Sequence, residues 1–172
     1  MTSSGTTIST GFESHLDKAI SRVFWTAVIL TGSSTFAESV VGDCIEYLDI
    51  EDLAGECFLT CVLTLSLQRS PSEPNSHDAA DAIVATLPLE LQLVLELPTF
   101  LRHAFTLRML LGLPVEQCSR LLHVQPEHIA ERVFKAIHEL AALDPRGSNG
   151  IGNSVLLMHA SFCDHLAGSR VQ

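Results

Sequence analysis

The side chains best placed to do chemistry cluster between positions 120 and 135: Arg120, Gln125, His128, Glu131, Arg132 and Lys135. Guanidinium, ammonium, amide and imidazole groups at such spacing suit hydrogen bonding to phosphate oxygens and base edges. Five cysteines (Cys44, Cys57, Cys61, Cys118, Cys163) offer metal or redox chemistry instead. Cys57 and Cys61 lie four apart, as do His159 and Cys163, so each pair can share a helix face. Neither has the tight double spacing of a zinc knuckle, and His165 falls off the face of His159 and Cys163. An odd thiol count without a targeting signal suits reduced cysteines that act as small apolar core groups. His123, His128 and His138 fall on or near helix surfaces, where a solvated imidazole is the ordinary outcome. No Gly-rich phosphate loop, Gly-x-Ser-x-Gly elbow or His-Glu-x-x-His helix is present. The expectation is a protein that is not an enzyme and has no metal or cofactor.

The elements that must position the 120–135 cluster follow from apolar spacing. A helix over 99–111 ends at Gly112. A second begins at Pro114, where proline is tolerated in a first turn, with Cys118, Leu121 and Leu122 inward. His123-Val124-Gln125 forms a turn. A third helix begins at Pro126, with Glu127 near the positive end of its dipole. Ile129, Val133, Ala136, Ile137 and Leu140 make its dry stripe, opposite His128, Glu131, Arg132 and Lys135. Helix, tight turn and helix with one dry face is a geometry that enters a major groove. A small helical bundle with no role on DNA fits the same spacing.

Upstream, Leu16, Ala19, Ile20, Val23, Phe24, Ala27 and Leu30 recur at threes and fours, and Gly32 stops that helix. Val40, Val41, Cys44, Ile45 and Leu48 form a second stripe. The segment 53–67 is apolar nearly all round, as a central buried helix would be. Trp25 sits beside the first apolar face and reads as a core residue. Leucines at every second position over 89–97 suggest a strand. Leu, Glu and Gln favour helix, however, and a lone strand has nothing to pair with, so helix is expected. The fold class is therefore all-α: two small helical domains, 12–68 and 83–143, joined by a Pro- and Ser-rich linker over 69–82. A loop and a short tail helix over 155–166 complete the 144–172 segment.

The chain of 172 residues is 47 % hydrophobic and 17 % charged, enough to bury a core. Apolar stretches are interrupted well short of a bilayer span, and Met1 to Thr10 has neither a basic nor an apolar leader region. A cytoplasmic protein without membrane association is expected. Net charge is −10. Over 12–97, three basic residues face fourteen acidic ones; over 98–144, five face five. Neither half carries the basic footprint usual in nucleic-acid binders.

Two sets of residues resemble extracytoplasmic-function sigma factors of bacterial RNA polymerase. Leu97-Pro98, Leu101-Arg102-His103-Ala104-Phe105-Thr106-Leu107-Arg108 and Leu111-Gly112-Leu113 are similar to the start of that family's C-terminal domain. Glu116-Gln117, Leu121-Leu122, Val124, Ile129, Arg132, Lys135, Ala136 and Leu140 continue the match through its helix-turn-helix. Leu30-Thr31-Gly32, followed by Ala37-Glu38-Ser39-Val40-Val41-Gly42-Asp43-Cys44-Ile45, resembles the signature of its N-terminal domain. There the corresponding helix docks on the polymerase clamp, which implies Glu38, Val41, Asp43 and Ile45 as polymerase-binding residues. The resemblance implies a transcription regulator with core RNA polymerase, promoter DNA and an anti-sigma-like regulator as partners. Gln125, His128, Glu131 and Arg132 would face base edges, and Arg120 and Lys135 phosphates.

Departures concentrate on the nucleic-acid surfaces. His123 replaces the turn's usual glycine, and Gln125 replaces a serine cap. Ala130, Ile137, His138 and Glu139 occupy positions that are often basic. The stretch 57–70 keeps one cation, Arg69, and no tryptophan, so it has no stacking platform for a separated strand. Weak DNA affinity is expected. The alternative is a degenerate relative that keeps the fold as a protein-interaction module without DNA binding.

Overall fold

The computed structural model describes residues 9–49, 52–70, 82–143, 158–160 and 162–163, and these are all-α, with no strand among them. The helices are α1 (Ser9–Thr31), α2 (Ser34–Tyr47), α3 (Glu56–Arg69), α4 (Leu89–Leu95), α5 (Thr99–Phe105), α6 (Val115–Leu122) and α7 (Pro126–Leu143). Short 3-10 turns lie at Asp52–Ala54 and Val84–Thr86.

Local chemistry explains the boundaries. The Thr31 hydroxyl donates back to the Ala27 carbonyl at 2.8 Å. Gly32 then takes φ +76°, and its N–H reaches the Val28 carbonyl at 2.8 Å. Left-handed backbone of this kind suits glycine, which has no Cβ to clash. Ser33 starts α2 at once, its Oγ accepting from the Phe36 N–H at 3.4 Å.

Two expected elements differ in detail. The segment 53–67 is not one helix buried all round. Gly55 interrupts it as the N-cap of α3, and only Phe58, Val62, Leu63 and Ser66 of that helix are buried. Thr60, Thr64 and Gln68 recur at every fourth position and form an exposed edge. The helix expected over 99–111 is α-helical only to Phe105 and continues as a π-helical turn, Thr106–Leu110. The wider turn shows in the Leu111 N–H bond to the Thr106 carbonyl at 2.9 Å. All residues over 101–107 are buried, so this stretch has no wet face. The 89–97 ambiguity resolves as helix, with Leu91, Val94 and Leu95 buried in α4.

The core is centred on the C-terminal half of α1, where Ala27, Val28, Ile29 and Leu30 are fully buried in succession. One apolar cluster joins Val28, Val40 and Phe58 to Leu91, Phe105 and Leu140. A second joins Leu30 and Leu63 to Leu107, Cys118, Ile129 and Val133. Apolar packing therefore runs without a break from the 12–68 segment into the 83–143 segment. Each fully buried Leu, Ile or Phe side chain contributes roughly 1.5–3 kcal/mol, which outweighs an exposed ion pair. Trp25 is half-buried, packs on the main cluster and meets Phe24 edge-on at 5.4 Å between centroids. Of the expected tail helix, 158–160 and 162–163 are helical, and Met158 and Phe162 are buried in the main core. Most of the 69–82 linker and of the 144–172 segment lies outside the described residues.

Candidate nucleic-acid interface

Proline starts both helices of the candidate unit: Pro114 precedes α6 and Pro126 opens α7. Between them His123 has φ +52° and ψ +42°, a left-handed C-cap whose N–H returns to the Ser119 carbonyl. The Val124 N–H bonds the same carbonyl at 3.2 Å, and the Ser119 hydroxyl donates to the Val124 carbonyl at 2.5 Å. Ser119 therefore fastens the turn at both ends. Cys118, Ile129, Val133, Ala136 and Leu140 point inward, with Leu121, Leu122 and Ile137 half-buried. Burial raises the Cys118 thiol pKa.

The sequence-derived contact residues divide into two groups. Gln125, just before α7, and His128, Glu131 and Lys135 along it are exposed. Lys135 Nζ meets Glu131 at 2.7 Å, and that hydrogen bond holds the Glu131 carboxyl below its ordinary range. Arg120, also exposed, and Arg132 line a cleft of about 630 Å³ that α3 bounds through Thr64 and Gln68. Arg132 is half-buried, with its guanidinium carbon 5.8 Å from the centre of the Phe100 ring, within cation–π range. Among the described residues, no carboxylate lines this cleft. Phe134 stands 63 % exposed on the outer side of α7, edge-on to His138 at 4.4 Å.

Below the cleft lies a contact that sequence reasoning missed. The Leu30 carbonyl, at the C-terminal end of α1, has no acceptor role left within its helix. His103 Nε2 reaches it at 3.1 Å, Ser70 Oγ at 3.3 Å and Arg102 Nη2 at 3.4 Å. Arg102 Nη1 also donates to the Leu95 carbonyl at 3.0 Å, while its Nε is buried without a partner. Burial lowers the Arg102 pKa to about 10, so it stays charged near neutrality. His103 is pushed down to about 4, first by burial and then by the Arg102 charge, with Arg132 adding to the effect and the Leu30 carbonyl opposing it. A neutral ring facing a carbonyl must carry its proton on Nε2. One signal was legible: Arg102-His103 sits inside an otherwise apolar run, and polar groups so placed need partners.

The implied polymerase-docking residues on α2 also divide. Glu38 and Ile45 are exposed. Asp43 is ion-paired with Arg69 of α3. Val41 is only 6 % exposed and packs in the main core, so it cannot itself meet a partner. Its apolar side chain is worth more in the core than on the surface.

Cys61 pairs spatially with Cys44 of α2 rather than with Cys57, which is exposed; the Cys44 and Cys61 sulfurs are 2.7 Å apart. Cys163 Sγ lies 3.8 Å from His159 Nδ1, and His165 falls outside the described residues. Among the described residues no three His, Cys, Asp or Glu side chains gather as a metal site. No helix there is long and apolar enough to cross a membrane. No protein-family model, curated protein or solved structure matches this chain.

Proposed function

We propose that the chain is a transcription protein of the extracytoplasmic-function sigma type. In this reading it has two helical domains, binds core RNA polymerase through the α2 face around Glu38 and Ile45, and contacts promoter DNA weakly through a helix-turn-helix. The observation that carries the DNA half is the exposed row of Gln125, just before α7, and His128, Glu131 and Lys135 along it, beyond a turn fastened by Ser119. A groove-reading helix uses such N-terminal positions. Weak affinity follows from the charges. Arg102 is buried, Lys135 is engaged by Glu131, and Arg132 lies over Phe100. Few cations are left to release counterions from a duplex.

The test is duplex binding followed by fluorescence anisotropy across a salt series. Binding at low salt should weaken further as salt rises, and Arg132→Ala with Lys135→Ala should flatten the log–log slope by less than the ~2 of two free phosphate contacts. No binding at low salt sinks the DNA half. Titration of purified core polymerase tests the other half separately, with Glu38→Lys and Ile45→Asp expected to weaken it.

A second reading, an interaction module without DNA binding, is favoured by Phe134. An aromatic ring 63 % exposed on the outer side of α7 suits a protein surface better than a phosphate backbone. The acidic first half likewise suits a basic protein partner. Polymerase or regulator binding without duplex binding would select this reading.

A further inference from the structure

We propose that Cys44 and Cys61 form a reversible intramolecular disulfide on exposure to a hydroperoxide, joining α2 to α3. This inference does not depend on the transcription reading. The two sulfurs stand 2.7 Å apart, whereas a disulfide bond is about 2.05 Å long. Closure therefore needs the two sulfurs to approach by about 0.65 Å. The surroundings hold the pair in place. Ala37, Val40 and Cys44 of α2 share a core cluster with Phe58 and Val62 of α3, and Cys61 packs against it. Asp43 and Arg69 tie the same two helices at the surface. Cys57, one turn earlier on α3, is exposed.

The two thiols have different roles in the chemistry. Cys61 is half-buried and reachable, whereas Cys44 is fully buried. Burial, then the hydrogen bond and charge of Cys61, push the Cys44 thiol up to about 12, with Asp43 adding to the rise and Arg69 opposing it. Peroxide meets the half-buried sulfur before the fully buried one, so Cys61 is the first nucleophile. Its sulfur attacks one peroxide oxygen: an S–O bond forms, the O–O bond breaks, and the other oxygen leaves as water after taking a proton. The Cys44 sulfur then attacks the Cys61 sulfenic sulfur, the S–O bond breaks, and a second water leaves with the Cys44 proton. Two thiols lose two electrons and two protons in total, and hydrogen peroxide becomes two waters. A dithiol reductant reverses the change by exchange.

The full-length protein is treated with hydrogen peroxide near stoichiometric amounts, its free thiols are alkylated, and its peptides are mapped by mass spectrometry. Cleavage after Glu46 and Glu56 frees the Cys44 peptide from α3, and cleavage after Phe58 separates Cys57 from Cys61. The expected product is a Cys44–Cys61 cross-linked peptide about 2 Da lighter than the two reduced peptides together, abolished by dithiothreitol. Alkylation of both residues should fall at least tenfold, while Cys118 stays reduced. In Cys61→Ser, the same peroxide dose should leave Cys44 reduced, since the buried thiol lacks its partner. A cross-link through Cys57 or Cys163 instead, or oxidation confined to those exposed thiols, overturns the proposal. Oxidation of Cys44 in Cys61→Ser at the wild-type rate overturns the assigned order of attack.

Discussion

His103 makes the stability of this fold depend on pH in a defined window. Its ordinary pKa of 6.5 applies in the unfolded chain, and burial beside Arg102 brings it to about 4 in the fold. Between these values the unfolded chain binds more protons than the folded one. Stability therefore rises with pH across the window, and acidification removes it. The whole shift corresponds to roughly 3 kcal/mol, of which about 2 kcal/mol is lost between about pH 7 and pH 5. The loss has a concrete origin: a protonated ring would be a second buried cation beside Arg102, and among the described residues it meets the Leu30 carbonyl and Ser70 Oγ. Urea unfolding followed by far-ultraviolet circular dichroism and Trp25 fluorescence measures it. The comparison is with His103→Gln, whose amide can still donate to the Leu30 carbonyl but does not titrate. Carboxylates and exposed histidines contribute equally to both proteins and cancel in the difference. The wild type should lose about 2 kcal/mol more than His103→Gln on moving from about pH 7 to pH 5. Parallel pH profiles would refute the assignment of a buried neutral imidazole at this junction.

Two backbone positions give further predictions. His123→Gly should raise stability by about 0.5–1 kcal/mol, because a left-handed cap with a Cβ is strained and glycine relieves it. A thermal melt should move up by about 1–4 °C, and a fall would show that the His123 side chain has an unrecognised partner. Gly32→Ala should cost about 1–2 kcal/mol, because the backbone stands at φ +76° and the new Cβ would sit 3.3 Å from both terminal nitrogens of Arg102. Its urea midpoint should drop without a change in slope; an unchanged midpoint would mean that Arg102 is not confined there.

Helix positions and inward faces were legible in the sequence because they depend on local spacing. Ile129, Val133, Ala136 and Leu140 are all buried, as their recurrence at threes and fours dictates. Gly32 and Gly112 adopt positive φ, at the two glycines expected to end helices. The turn over 123–125 lies between two proline-started helices, as the residues require. Spacing also misled. It read the cysteines as small core thiols and could not set Cys57 on the surface or Cys61 beside Cys44, because periodicity sees neighbours on one helix and not those on the next. The charge count put Arg102 with four other basic residues without showing that it is buried, because composition carries no information about burial. The resemblance implied Val41 as a docking residue, but a motif match does not say which side of α2 is covered, and Val41 is buried.

The sequence by itself determined that this chain is helical, where most helices start and stop, and which stripe of α7 is dry. These follow from backbone conformation and apolar periodicity within a few residues. The tertiary structure alone decided the company each group keeps. Packing of α5 against the end of α1 made His103 a neutral donor to a carbonyl 73 positions away. Packing of α6 near α3 placed Arg120 and Arg132 in a cleft while leaving Gln125, His128, Glu131 and Lys135 exposed. Packing of α2 on α3 brought Cys44 to Cys61. Each depends on contacts between residues far apart in the chain, where local spacing has no reach. The two proline-started helices and the turn between them were therefore readable as a shape, whereas the charge they expose was set by burial, pairing and the neighbouring helices.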